Sequence, residues 1–190
     1  MSTLHVENLK GLSSGGNANK VIVPTGQTLE VTDNLRYDDM PTGSVLQVAT
    51  TMWTSETQST STSFSDVANS SLSFTPKLAT SKLVISASFQ FQYYSTGSYY
   101  AGGMTRIVHN GTALDFTSQA YECYGEYPGA GSGGTNTHDR VHRMATVSAG
   151  NTNARTIKLQ LAKYGSTTVH VSVNQGAYFY GVLKVEEIKQ

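Results

Sequence analysis

The 190-residue chain sets thirteen Lys and Arg against thirteen Asp and Glu, a formal net charge of zero, and only 14% of its residues are charged. Such a neutral surface offers no electrostatic pull toward nucleic acid or anionic membrane, so neither is expected as a partner. The one cysteine, Cys123, excludes an intrachain disulfide framework and a multi-cysteine metal site; without a basic-apolar leader or an apolar run of about 18 residues, neither secretion nor membrane insertion is expected.

Residues 1–42 carry short apolar pieces, Val21-Ile22-Val23 and Leu29-Glu30-Val31, between Gly15-Gly16, Pro24, Gly26 and Pro41. This is too sparse for a core, and isolated strands are marginal in water. The segment reads as an extended attachment arm in which Val21, Ile22, Val23, Leu29 and Val31 await burial against other chains. Residues 43–190 form the remaining domain.

From Val45 onward apolar residues alternate with period two, and no helical period persists over several turns. The reading is all-β, with strands at Val45 to Trp53 and Ser71 to Thr75. Between Lys82 and Tyr94 the pattern is sharpest: Leu83, Ile85, Ala87, Phe89, Phe91 and Tyr93 share one face, with Val84, Ser86, Ser88, Gln90 and Gln92 on the other. Strands at Met104 to His109 and 112–118 flank Asn110-Gly111, the dipeptide suited to a turn with both residues at positive φ. That hairpin pairs Ile107 with Leu114 and Arg106 with Asp115. Further strands are expected at Arg140 to Ser148, Thr156 to Lys163, Thr168 to Asn174 and Tyr178 to Val185, separated by Gly and Ser clusters.

Tyr93, Tyr94, Tyr99, Tyr100, Tyr121, Tyr124 and Tyr127 place seven of eleven tyrosines within 35 residues. Tyrosine joins a rigid apolar face to a hydroxyl, which suits receptor contact and subunit packing equally. If these residues bind a receptor, they should form an exposed patch from residues 93–100 and 121–134, at the end farthest from the arm.

His138-Asp139-Arg140-Val141-His142 would put two histidines on one face of a helix. On a strand the same spacing spans ~13 Å, too far for one ion, so no metal site is expected. Gly129 to Gly134 lacks the Gly-Lys-Ser/Thr of a phosphate cradle. Asn69-Ser-Ser71 and Asn110-Gly-Thr112 match the glycosylation acceptor pattern without a secretory route to use it. No nucleophile signature marks Cys123 or any serine. Asp115, Glu122 and Glu126 are the conceivable carboxylates of a glycoside hydrolase, but nothing brings them together. A non-enzymatic protein without cofactor is expected.

Asn19-Lys-Val-Ile-Val-Pro-Thr-Gly-Gln-Thr-Leu-Glu-Val31 with Met40-Pro-Thr-Gly-Ser-Val-Leu-Gln47 resembles the arm-to-head junction of tail-fibre-like virion proteins of marine bacteriophages, of cyanophage or pelagiphage type. Ser61-Thr-Ser-Phe64, Leu72-Ser-Phe-Thr-Pro76 and Ser81-Lys-Leu-Val-Ile85 resemble the opening of their C-terminal heads. The resemblance covers roughly the first half. It implies a homotrimeric structural protein on the virion surface, made in the bacterial cytoplasm, with an antiparallel jelly-roll-like β-sandwich head. Other virion proteins would bind the arm, and a host surface glycan or protein could bind the head. The expected role is a short tail fibre or receptor-binding knob; the absence of a repeat or coiled-coil shaft favours the alternative, a decoration protein cementing the capsid shell.

Overall fold

The computed structural model describes residues 13–16, 22, 24–27, 36–95, 101–114, 123–125, 135–164, 170–173 and 179–190. The chain divides into two units, Met1–Arg36 and Tyr37–Gln190. In the first, the Gln27 N–H donates to the Pro24 carbonyl (3.1 Å), closing a turn with Gly26 at φ 85°. A positive φ at the third turn position is what a type II turn requires, and glycine adopts it without a Cβ clash.

The second unit opens with a 3-10 turn at Tyr37–Asp39 and is otherwise, among the described residues, built of strands. These are β1 (Val45–Trp53), β2 (Thr57–Ser59), β3 (Ser65–Asp66), β4 (Leu72–Phe74), β5 (Lys82–Ser95), β6 (Ala101–His109), β7 (Thr112–Ala113), β8 (Cys123–Gly125), β9 (Thr135–Ser148), β10 (Arg155–Tyr164), β11 (His170–Val173) and β12 (Gly181–Ile188). They form two six-stranded sheets, antiparallel at every described pairing.

Strand β5 is the spine of the first sheet. One of its edges pairs with β9 over fourteen residues, from Lys82↔Ser148 to Ser95↔Thr135. The other takes β12 along residues 82–88 and β11 along 91–94, with β1 outside β12 and β2 outside β11. In the second sheet β10 lies beside β6, whose far edge carries β7 and β8, while β3 and β4 share the far edge of β10. A turn interrupts that shared edge at Asn69, which sits at φ 61°. Ser70 repairs the gap: its buried hydroxyl accepts from the Leu159 N–H (3.1 Å) and donates to the Val67 carbonyl (2.8 Å).

Alternation decides which residues enter the core. Leu83, Ile85, Ala87, Phe89 and Phe91 of β5 and Leu183 and Val185 of β12 meet Ile107 of β6 and Ile157, Leu159 and Leu161 of β10 in one continuous cluster. Two antiparallel sheets sharing a core in this way make a β-sandwich. Arg155 closes one end. Its guanidinium donates to the carbonyls of Ala149 and Asn151 (both 2.8 Å), so it anchors the segment that crosses from β9 in one sheet to β10 in the other.

Asn110 and Gly111 adopt φ values of 49° and 86°, and the ladder pairs Val108 with Ala113 and His109 with Thr112. The Leu114 N–H donates to the Ile107 carbonyl (3.0 Å), in the register expected from the dipeptide. Asp115 lies outside the described residues. Arg106 donates from Nε to Gln160 Oε1 (2.8 Å) and stacks on Phe64, 4.0 Å from guanidinium carbon to ring centroid. Gly111→Val should cost about 1–3 kcal/mol, because a β-branched residue strongly resists positive φ. Urea unfolding should register the loss as a lower midpoint with an unchanged slope.

Other expectations need correction. The strand expected to end at Val185 continues to Ile188, because Glu187 faces inward although the pattern reads it as polar. Gln90 and Gln92, expected on a solvent face, are buried. The strand expected from Arg140 begins at Thr135, and β2, β3 and β8 lie outside the expected strands.

Candidate functional site

The outward face of the first sheet can be read row by row from the register. Val48, Glu186, Val84 and Thr146 lie side by side on β1, β12, β5 and β9; next come Thr50, Lys184, Ser86 and Met144; then Met52, Val182, Ser88 and His142. Directly opposed residues of an antiparallel sheet point the same way, so these twelve form one surface. Met144 is 72% exposed, Met52 64% and Val48 52%. The charges on the face, Lys184 and Glu186, pair with each other at 3.1 Å. Their pairing leaves the apolar side chains in a neutral field.

The second sheet presents different chemistry outward. Lys158 Nζ lies 2.6 Å from Asp66, Gln160 donates to the same carboxylate at 2.7 Å, and Arg106 binds Gln160. The bonds from Lys158 and Gln160 hold the Asp66 carboxyl below its usual range. This is a hydrated polar network rather than an apolar patch.

Two residues further along β5 and β9, the first sheet carries a cavity of about 380 Å³ lined by Gln90, His138, Asp139, Arg140 and Phe179. Gln90 and Arg140 are register partners, and Gln92 pairs with His138. Buried Gln90 donates from Nε2 to His138 Nδ1 (2.7 Å). Arg140 donates from Nε to Ser88 Oγ (3.0 Å) and from Nη1 to the Tyr180 carbonyl (3.3 Å), with its guanidinium 5.3 Å from the Tyr180 ring centroid. The His138 to His142 segment is therefore strand, and His138 is engaged with an amide.

Glu187 is a different kind of polar site, wholly buried at 0% exposure. Gln47 shares the inward phase of Ala49, Thr51 and Trp53 and is the register partner of Glu187, and its Nε2 donates to the Glu187 carboxylate (2.6 Å). The Lys77 N–H (2.8 Å), the Leu78 N–H (2.9 Å) and Ser81 Oγ (2.6 Å) complete the set of donors. Burial by itself would raise the carboxyl's pKa, but the bonds from Ser81, Lys77, Leu78 and Gln47 outweigh it and leave the value below normal. The carboxylate thus ties the 77–81 turn to β1 and β12. At the same end of the core, where the Ala149 N–H donates to the Ser81 carbonyl and the Ala149 carbonyl accepts from Arg155, burial and then the charge of Arg155 lower the pKa of His109, whose Nε2 faces Arg155 Nη1 at 3.3 Å.

Of the residues singled out as receptor contacts, Tyr93 and Tyr94 lie in β5 and Tyr124 in β8, opposite Gly102. Tyr99, Tyr100, Tyr121 and Tyr127 lie outside the described residues, as do Val21, Val23, Leu29 and Val31 of the arm, the Gly129 to Gly134 run, and Asp115, Glu122 and Glu126. Ile22 is exposed. Sequence reasoning missed the cavity, whose residues 90, 138–140 and 179 are brought together only by strand pairing. Gln90 sits on the polar side of an alternating strand, so the residue order carried no signal for it. No protein-family model matches this chain, and no curated protein matches it.

Proposed function

We propose that the chain is a non-enzymatic structural protein of a bacteriophage particle, acting as a homotrimer on the virion surface as a short tail fibre or receptor-binding knob. The sandwich would be its jelly-roll-like head, and the N-terminal segment its attachment to other virion proteins. The observation that carries the reading is the outward face of the first sheet, where Val48, Met52 and Met144 stand exposed around a self-neutralised ion pair. A concentration of apolar side chains on one sheet face is the mark of an interaction surface. Copies of the same chain suit it, because a neutral face with its charges already paired raises no like-charge repulsion against itself. The resemblance at the arm-to-head junction adds the virion setting.

Sedimentation equilibrium of the full chain at micromolar concentration should return about three times the 20.4 kDa chain mass. The double variant Met52→Lys, Met144→Lys should shift the protein to monomer while far-UV circular dichroism stays unchanged. A monomer before substitution overturns the proposal. The lack of a repeat or coiled-coil pattern in the sequence between residues 1–42 and the sandwich supports the alternative, a capsid decoration protein. Immunogold labelling of intact particles, on the tail or over the shell, decides between the two placements.

A further inference from the structure

The cavity beside Arg140 lies at some distance from the exposed methionines: Met144 is four residues along β9, ~13 Å at strand rise. Its lining comes from one chain. Its volume of about 380 Å³ falls within the ~300–1,000 Å³ range of small-ligand pockets.

Three features define what would fit. Arg140 is held in place by Ser88 and the Tyr180 carbonyl and backed by the Tyr180 ring, yet its Nη2 has no protein partner among the described residues. A guanidinium fixed in this way presents a planar donor edge at little entropic cost, the geometry that carboxylates match. His138, whose Nδ1 lies 2.7 Å from Gln90 Nε2, brings a second hydrogen-bonding ring to the cavity wall. Phe179 supplies a partly exposed aromatic wall. Asp139 also borders the space, set by strand alternation on the face of β9 opposite Arg140.

We propose that this cavity binds a carboxylate carried on a ring, with Arg140 taking the carboxylate, His138 hydrogen-bonding to the ligand and Phe179 lying against the ring. A hexuronic acid unit of a polysaccharide and a free aromatic acid share this chemistry. The site goes beyond the virion reading and does not rest on it, since a monomeric protein would bind equally well.

The test is titration of the full chain at neutral pH and low salt with glucuronic acid and with benzoate, followed by calorimetry and by NMR shifts. Glucose and benzyl alcohol serve as the uncharged counterparts. At least one carboxylate should saturate, and its uncharged counterpart should bind at least tenfold more weakly. Saturation by glucuronic acid points to a polysaccharide source, and saturation by benzoate to a free aromatic acid; either supports the site. Arg140→Gln should lose at least tenfold in affinity, and Phe179→Ala should weaken binding by a similar factor, with circular dichroism of both variants unchanged. The proposal is overturned if neither carboxylate saturates by roughly 50 mM, or if Arg140→Gln binds as the unsubstituted chain does.

Discussion

Glu187→Ala should lower stability by about 3–5 kcal/mol, the loss seen when one partner of a buried charged network is removed. The reason lies in what remains. The N–H groups of Lys77 and Leu78, the Ser81 hydroxyl and the Gln47 amide all donate to this carboxylate, and without it they face a gap in the protein interior. Each buried donor left unmade costs about 1–3 kcal/mol, less than additively where neighbours relax together. Glu187→Gln should cost less but still measurably, because its amide nitrogen points a donor at other donors. Equilibrium urea unfolding of both variants measures the difference, and a loss under 1 kcal/mol for the alanine variant would show that water replaces the carboxylate.

The same carboxylate fixes the sign of a pH dependence. Its folded pKa lies below the unfolded value of about 4.3, so its stabilisation is complete above that value and lost as pH falls through the lowered one. His109 acts in the same direction in a higher window. Its folded pKa is also lowered, so its contribution is present above about 6.5 and declines as the pH drops below it. Unfolding free energy should therefore fall in two stages on acidification, and Glu187→Gln should shrink the more acidic stage, to which Asp66 also contributes, while leaving the His109 stage unchanged.

The second large effect is expected at Gly181→Ala. Gly181 is the cross-strand partner of Trp53, and the buried indole lies over it. A Cβ at this position would fall within the indole: Cη2, the farthest of the three nearest atoms, would be only 2.8 Å away, and Cζ2 and Cε2 would be closer still. A flat indole among core residues has no room to retreat, so the overlap must be relieved by moving β1 or repacking the ring. Overpacking of this kind costs about 1–3 kcal/mol, and the upper end is expected here. Trp53 is the sole tryptophan, so its fluorescence should shift toward the red in the variant as the ring is displaced. The pair also permits a cycle: Gly181→Ala should cost far less in a Trp53→Leu background, and additive losses would show that the two residues do not share the space.

Much of the sandwich is legible in the residue order, and the reason is local. Leu83 through Phe91 alternate strictly because one side of the strand meets the core, and Asn110-Gly111 specifies its turn because few residues accept positive φ. Val45–Trp53 is equally readable, but its consequence is not. Val48 and Met52 look like core residues by type, whereas the register places Ala49, Thr51 and Trp53 inward and leaves the apolar pair outside. Tertiary pairing alone decided that face, as it decided the three short strands. Two or three residues contain too little period to announce β2, β3 or β8, and each exists because a longer neighbour offers a free edge.

Polar burial is where sequence reasoning fails most clearly, and for a single physical reason. Whether Glu187, Gln90 or Arg155 can leave water depends on donors and acceptors supplied by residues far away in the chain, and periodicity carries no information about them. Glu187 reads as the solvent side of a C-terminal strand until the 77–81 turn brings its N–H groups within reach. Gln90 and Arg140 read as ordinary surface residues until the fourteen-residue pairing of β5 with β9 sets them side by side, next to Phe179. The sequence by itself determined where the long strands and the Asn110-Gly111 hairpin lie, through alternation and turn chemistry. Only the tertiary structure decided which face each strand shows to solvent and where a cation and an aromatic ring meet, because those outcomes depend on the register between segments that are distant in the chain.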